Sequence, residues 1–322
     1  MFKKLMAKIG IGAATVDLRL HEDSGRLGET LTGVIHIEGG SVEQPISMLS
    51  VQVELRALLK GNKIDRVVET IPVKSGFAVK PAPYVEEVPF SFRLPNDMAI
   101  STPYMKYYLH TVLDVEQALD PTDLDPFVVN APVYIEKVFR SLDRVGFIPK
   151  PGSGAMTKYG QEFAFYPPKT ISVPLRELEV IFYDAPDAVH LLIEMDVQQG
   201  GFFGREVERK AEIILTKRVL EDWTEEEVGH FIQEKVEGYC HNPQTIPYFS
   251  MEAFRPGSGH GHVGHGLGNI IGGLAVGLIG TAAMSEILDE ADDFLDLDDV
   301  LGSDDDGGGD DGGDFGDFGF GD

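Results

Sequence analysis

Cysteine is almost absent from this sequence, since Cys240 is the only one among 322 residues. A single cysteine excludes an intrachain disulfide, and such sparing use is typical of proteins from reducing compartments. The N-terminus also lacks the unbroken apolar stretch of a signal peptide, because Lys8, Gly10 and Gly12 interrupt it. These two absences predict a cytoplasmic protein.

Basic residues are scarce, with 27 Lys and Arg against 53 Asp and Glu and a formal net charge of −26. Residues 286–322 alone hold 16 Asp and Glu and no Lys or Arg. Nucleic-acid phosphates need cationic side chains, so this balance argues against a nucleic-acid partner and favours basic protein partners. The apolar fraction of 43% suits globular cores and is too low for a protein that spans a membrane many times.

Hydrophobic residues alternate with polar ones in residues 48–59, 88–94 and 109–115. A period of two places one face of a strand on a core and the other in water, as in antiparallel sheets. Glycine and proline clusters separate these runs from further expected strands at residues 15–20, 31–37, 66–73 and 127–130. The pattern predicts a first antiparallel β-sandwich.

A helical period replaces the alternation after Pro132, and it predicts a linker helix over residues 132–145. Further strands are expected at residues 162–166, 177–183, 189–197 and 206–217. Thr224 and Glu227 have the spacing of a capping box, which predicts a closing helix over about residues 225–237.

The composition changes sharply after Arg255, where Gly/His-rich, apolar and acidic stretches follow one another. The last residues are a Gly/Asp/Phe run that buries too little surface to offset its chain entropy, so we expect the acidic tail to be largely disordered. We predict an N-terminal domain at residues 1–131, a second domain at 132–254 and a tail at 255–322.

Three segments of the sequence have a distinctive order of residues: Lys-Ile-Gly-Ile-Gly-Ala-Ala-Thr-Val-Asp at residues 8–17, Gly-Val-Ile-His-Ile-Glu-Gly-Gly at 33–40 and Ala-Leu-Asp-Pro-Thr-Asp-Leu-Asp at 118–125. These segments resemble the sporulation-control protein family (stage-zero sporulation protein M). The similarity extends less densely to residue 217. The resemblance implies two arrestin-like antiparallel β-sandwich domains and a regulatory role in the cytoplasm, without catalysis or a cofactor.

The leading functional hypothesis is a non-enzymatic regulator or scaffold that binds other proteins. Sandwich edges offer backbone groups to an added strand, and an acidic amphipathic segment in the tail suits a basic, apolar groove. The predicted partner-binding residues of that segment are Phe294, Leu295 and Leu297.

Two alternatives stay open. Lys3, Lys4 and Lys8, together with the Gly-rich apolar residues 267–283, fit peripheral contact with a membrane or with the acidic tail. His260, His262 and His265 carry imidazole groups that bind transition metals, although the glycines around them supply no rigid scaffold.

Two other groups of residues are better explained by structural than by functional roles. Cys240 and His241 are adjacent and require a third, orienting group to act as nucleophile and base. Asp120, Asp123 and Asp125 lack the distal bidentate acid of a calcium loop, and turn chemistry explains them better.

Overall fold

The computed structural model of this protein describes residues 12–59, 62–116, 118–157, 159–200 and 205–247. Within these ranges the chain forms fourteen strands and three α-helices. The strands pair almost entirely in antiparallel fashion. The mainly β fold class predicted from the alternation is therefore confirmed.

The first half of the described chain contains eight strands. They are β1 (Thr15–Leu20), β2 (Ser24–Arg26), β3 (Thr30–Glu38), β4 (Gln44–Leu59), β5 (Asn62–Val79), β6 (Val85–Arg93), β7 (Met105–Val115) and β8 (Thr122–Asn130). They form two sheets, one in the order β1-β3-β6 and one in the order β2-β8-β7-β4-β5.

The two sheets bury the apolar residues that alternate along their strands. Val51, Val53 and Leu55 of β4 are fully buried, as are Leu109, Thr111 and Leu113 of β7, and the residues that alternate with them are half-buried. Burying a side chain of this size stabilises the fold by about 1.5–3 kcal/mol. The predicted N-terminal sandwich is thus built on the residues that carry the period of two.

One strand pair departs from the antiparallel expectation. The short β2 runs parallel to β8, with Ser24 opposite Val128 and Arg26 opposite Asn130. Its three residues are too few to show a hydrophobic period, so the sequence predicts only a turn at this position.

The second half contains six strands and the helices. The strands are β9 (Ile148–Pro149), β10 (Ala155–Thr157), β11 (Gly160–Tyr166), β12 (Leu175–Asp184), β13 (Ala188–Gln198) and β14 (Glu206–Thr216). The helices are α1 (Val133–Arg144), α2 (Lys217–Asp222) and α3 (Glu225–His241), followed by a 3-10 turn at Pro243–Thr245.

All six strands of this half belong to one sheet, in the order β10-β11-β12-β13-β14 with β9 also paired to β11. The resemblance implies a second sandwich here, but among the described residues the layer packed against the sheet is helical. Phe139 of α1 lies edge-on to Phe163 and Phe182, with ring centroids 4.8 and 4.9 Å away. The linker and closing helices thus occupy the place of a second sheet, because their apolar stripes cover the sheet.

The closing helix starts as the sequence predicts. The Thr224 hydroxyl accepts a hydrogen bond from the Glu227 amide, and the Glu227 carboxylate accepts one from the Thr224 amide, so the capping box is confirmed. The helix extends beyond the expected residue 237 to His241. Across the described part of the chain, no helix combines the length and apolar character that crossing a bilayer requires.

A buried amide joins the two halves. The Gln161 side chain of β11 is fully buried; its Oε1 accepts from the Ile100 amide at 2.8 Å. Its Nε2 donates to the carbonyls of Ile100 and Gly154 at 2.9 and 3.0 Å. The Thr102 hydroxyl also donates to the Gly154 carbonyl. The exact limits of two domains and a tail stay a prediction.

Candidate functional site

The sheet of the second half has two chemically different faces. On the face toward α1 and α3, residues such as Phe163, Val180 and Ile193 are opposite one another in adjacent strands and are buried. The other face, here called the acidic face, carries eight carboxylates and two basic groups. These residues are Glu162, Glu177, Glu179, Glu194, Asp196, Glu206, Glu208, Glu212, Lys210 and His190.

Strand register brings the acidic residues together from four strands. Glu179 of β12 lies opposite Glu194 of β13, which in turn lies opposite Lys210 of β14. One step along the strands, Glu177 is adjacent in register to Asp196. Because directly opposed residues point to the same face, these acids form rows across the sheet.

Two lysines neutralise part of this charge, and a histidine contacts a further carboxylate. Lys210 Nζ lies 2.9 Å from Glu194 Oε2, and Lys150 pairs with Glu177. His190 is buried, and its Nδ1 lies 2.6 Å from Glu212 Oε1.

Glu162 and Glu179 lack such a partner, since no described Lys or Arg lies within ion-pair distance of either carboxylate. The acidic face therefore keeps more negative charge than its own cations neutralise.

The excess charge changes the proton affinity of the carboxyl groups. Burial, followed by repulsion from Glu162 and Glu194, raises the pKa of Glu179 to about 8. Burial, followed by repulsion from Glu194 and Glu177, raises the pKa of Glu162 to about 7. A cation placed beside these carboxyl groups favours their ionised form, so its binding near neutral pH would release their protons to solvent.

A divalent cation has one place on this face where ligand atoms converge. Glu194, Asp196 and Glu208 bring carboxylate oxygens within 4.8 Å of one another in the described part of the chain. Calcium takes six to eight oxygen ligands, and Lys210 already contacts Glu194. The arrangement accordingly suits ammonium or guanidinium groups, of which the Lys210 pair is an example.

The raised pKa of Glu179 predicts that the stability of the protein depends on pH, and a substitution at this residue tests the prediction. The Glu179 carboxyl binds its proton more tightly in the folded chain than in the unfolded chain. Its contribution to the free energy of unfolding is therefore full below the ordinary pKa of 4.5 and is lost as the pH rises through about 8. We expect Glu179→Gln to raise the free energy of unfolding by about 1–2 kcal/mol near pH 8 and to change it little near pH 4. Urea denaturation at the two pH values measures this, and the exposed Glu226→Gln is the control.

Comparison with known proteins supplies the family. The family model described as SpoOM protein matches residues 2–199. The chain belongs to the SpoOM protein family. The matched range of this family includes the N-terminal sandwich and β11–β13 of the acidic face, and β14 lies just beyond it.

A sequence match and a solved structure extend the comparison. The sporulation-control protein spo0M of Bacillus subtilis (strain 168) is 30% identical over 257 residues, which cover 74% of this chain and 98% of that protein. The crystal structure of Spo0M from Bacillus subtilis superposes with a TM-score of 0.58 at 25% identity, covering 71% of this chain and 100% of the other. The resemblance seen in the sequence is thereby confirmed.

The site residues predicted from the sequence lie outside the described ranges. They are Lys3, Lys4, Lys8, His260, His262, His265, Phe294, Leu295 and Leu297, and residues 267–283 lie outside as well. The three lysines fall within the range matched by the SpoOM model, whereas the histidines and the acidic segment follow it. Their roles in membrane, metal and partner binding stay predictions.

Cys240 and His241 do not form a nucleophile and base pair. Burial raises the pKa of the Cys240 thiol to about 11, so it is a poor nucleophile at neutral pH. His241 Nδ1 lies 2.9 Å from the Glu237 carbonyl oxygen within the same helix.

The aspartates at residues 120–125 divide into two kinds. Asp120 accepts a hydrogen bond from the Val115 amide at 2.9 Å, which confirms its predicted turn chemistry. Asp123 and Asp125 lie in β8 instead, and Asp123 accepts the Leu18 amide of β1 at 2.8 Å, linking the two sheets of the sandwich. Burial, with the nearby Asp123, raises the pKa of Asp125 to about 7.

The acidic face was not predicted from the sequence. Its signal is present as acids two residues apart within single strands: Glu177 with Glu179, and Glu194 with Asp196. Each pair alone is typical of a solvated strand face. Only the register of β12 against β13 makes one cluster of them.

Proposed function

We propose that this protein is a non-enzymatic regulator or scaffold of the sporulation-control type, which acts in the cytoplasm through contacts with other proteins. We further propose that the acidic face is its main binding surface and that it takes basic segments of its partners. Family membership, the single cysteine and the charge of the acidic face support this function.

The observation that carries the proposal is the strand register that gathers Glu162, Glu179 and Glu194 among other carboxylates, and the raised pKa of Glu162 and Glu179 agrees with it. Both side chains are partly withdrawn from water and lie among other carboxylates, so each is destabilised when ionised. A lysine or arginine from a partner relieves that repulsion, and its attraction to the carboxylates is screened less by salt at a partly buried site than at an exposed one. Charge complementarity of this kind also speeds association and rejects acidic partners.

The state of the described nucleophilic and basic side chains supports the non-enzymatic part of the proposal. The Cys240 thiol is buried with a raised pKa. His190 and His110 each lie within 2.7 Å of a carboxylate oxygen, on Glu212 and Glu54. Such contacts between an imidazole and a carboxylate are explained by a structural role of the histidine, and a catalytic role is not needed to account for them.

Carbodiimide crosslinking in cells tests the proposed surface, because this reagent joins carboxylates directly to lysine amines. We expect crosslinks from partner lysines to Glu206, Glu208 and the neighbouring acids of the acidic face. The double variant Glu206→Lys, Glu208→Lys is expected to reduce the captured partners about tenfold, because it reverses two charges at the exposed rim.

A matched control changes the same net charge elsewhere. Glu226 and Glu234 are exposed on α3, away from the acidic face, and Glu226→Lys, Glu234→Lys should leave partner capture unchanged. Equal losses from the two double variants, or crosslinks that avoid the acidic face altogether, would contradict the proposal.

A further inference from the structure

Most sheet edges in the described chain are protected against added strands. The long edge strand β5 carries Pro72, Gly76 with φ of +60° and two shifts of register. The edge strand β6 contains Pro89, and the amide of Leu18 in β1 is bound by Asp123. Prolines, bulges and covered backbone groups are the usual means of blocking edge-to-edge pairing.

The edge strand β14 has none of these devices. It pairs with β13 over eleven consecutive residues without a shift of register, and its sequence contains neither proline nor glycine. The other edges of the same sheet, β9 and β10, are only two and three residues long. Among the described strands, β14 is therefore the long edge that remains suited to pairing.

Two hydrogen bonds at the ends of β14 show which of its backbone groups point away from β13. The Lys217 amide donates to the Asp187 carbonyl at 2.8 Å, and the Gln199 amide donates to the Arg205 carbonyl at 2.9 Å. Mutually bonded pairs recur at every second residue of an antiparallel ladder, so the odd-numbered residues of β14 bond to β13. The even-numbered residues point their amides and carbonyls away from the sheet.

One outward group has a partner in the described structure, since the Glu212 carbonyl accepts the Tyr239 hydroxyl of α3 at 3.4 Å. The outward groups of Glu206, Glu208 and Lys210 form no hydrogen bond with described residues. The accessible length of the edge is thus the N-terminal half of β14.

The side chains beside this edge define the chemistry of an added strand. Glu206, Glu208, Lys210 and Glu212 all project on the acidic face, and alternate residues of a neighbouring strand would lie next to them. Three of these four side chains are acidic. On the opposite face, Arg209 Nη1 donates to the Cys240 carbonyl at 2.5 Å, so α3 lies beside β14 on that side.

We propose that the outer edge of β14 receives an extended segment of another protein as an additional strand, with basic residues at alternate positions over the acidic face. This inference rests on the proposed function, and it names both the partner class and the binding mode. Backbone hydrogen bonds to the edge give affinity, and the alternating basic side chains give specificity.

A model peptide tests the binding mode directly. The probe is a short, fluorescently labelled peptide in which lysine alternates with threonine, titrated into the full-length protein at low salt. The matched probe has the same sequence and charge but carries N-methyl groups on alternate amides, which removes donors along one edge. We expect the methylated peptide to bind about tenfold more weakly, because only strand addition uses those amides.

A variant of the protein tests the same contact from the other side. Lys210→Pro removes an outward amide while leaving the bonds to β13, and it is expected to weaken binding of the parent peptide about tenfold. Lys210→Ala removes a positive charge and keeps the amide, so it should bind the peptide at least as well as the native protein. Amide hydrogen exchange should show peptide-dependent protection at Glu208 and Lys210.

Three results would overturn the inference. The first is equal affinity of the protein for the two peptides, and the second is protection from amide hydrogen exchange that is confined to another strand. The third is protection of β14 that depends on protein concentration in the absence of peptide, because it would identify a second copy of the protein as the occupant of the edge. If these peptide tests fail while carbodiimide crosslinks still lie on the acidic face, strand addition is wrong and the proposed function stands. If peptide binding is as expected but no cellular crosslink lies on that face, the proposed function is wrong.

Discussion

Replacing Gln161 with leucine is expected to lower the free energy of unfolding by about 2–4 kcal/mol. The side chain is fully buried and makes three hydrogen bonds to backbone groups of Ile100 and Gly154. Leucine fills much of the same volume but leaves the Ile100 amide and carbonyl without partners in a dry environment. The cost of two buried unsatisfied groups exceeds the gain from added apolar surface.

Urea denaturation of the full-length protein measures this effect through the midpoint at constant slope. Gln199→Leu is the matched control, because Gln199 is exposed and should change stability by less than about 0.5 kcal/mol. A Gln161→Leu midpoint equal to that of the native protein would show that the bridge between the two halves contributes nothing to stability.

The strands that sequence reasoning located are those in which local pattern and final burial agree. Alternation in residues 48–59 and 109–115 reports a property of single strands, and β4 and β7 contain those residues. The capping box at Thr224 is equally local, since all of its hydrogen bonds lie within one turn.

The features that sequence reasoning missed depend on contacts between distant segments. The parallel pairing of β2 with β8 joins residues about a hundred positions apart, and no local period indicates it. Glu179 and Glu194 become neighbours only through the register of their strands. Helices were predicted in the second half, but their packing against a sheet face is a tertiary property.

The same distinction explains why the candidate site was found in a different place from that predicted. Sequence reasoning selects segments of unusual composition as candidate sites. In this protein those segments include His260 and Phe294, which lie outside the described residues. A binding surface on a sheet has ordinary composition in every strand that contributes to it. Its unusual property is the density of charge, which exists only in three dimensions.

Two glycines of the closing helix are expected to respond to alanine with opposite signs. At Gly229 an added Cβ would lie 2.4 Å from the Ser141 carbonyl oxygen of the neighbouring helix α1 and 2.6 Å from Cγ1 of Val145, the residue that follows α1. Gly229→Ala must therefore separate the two helices, and we expect it to destabilise the protein by about 1–3 kcal/mol. At Gly238 no atom lies within 4 Å of the new Cβ, so Gly238→Ala should stabilise by up to about 1 kcal/mol.

The pair separates close packing from helix propensity, because the two residues share one helix and undergo the same substitution. Propensity alone favours alanine at both positions, since glycine loses more backbone entropy when it becomes helical. Urea midpoints that rise for both variants would show that α1 and α3 do not approach as closely as the Ser141 contact requires. A lower midpoint for Gly229→Ala together with a higher one for Gly238→Ala would show that Gly229 permits the close approach of α3 to α1, and that this packing outweighs helix propensity at that position.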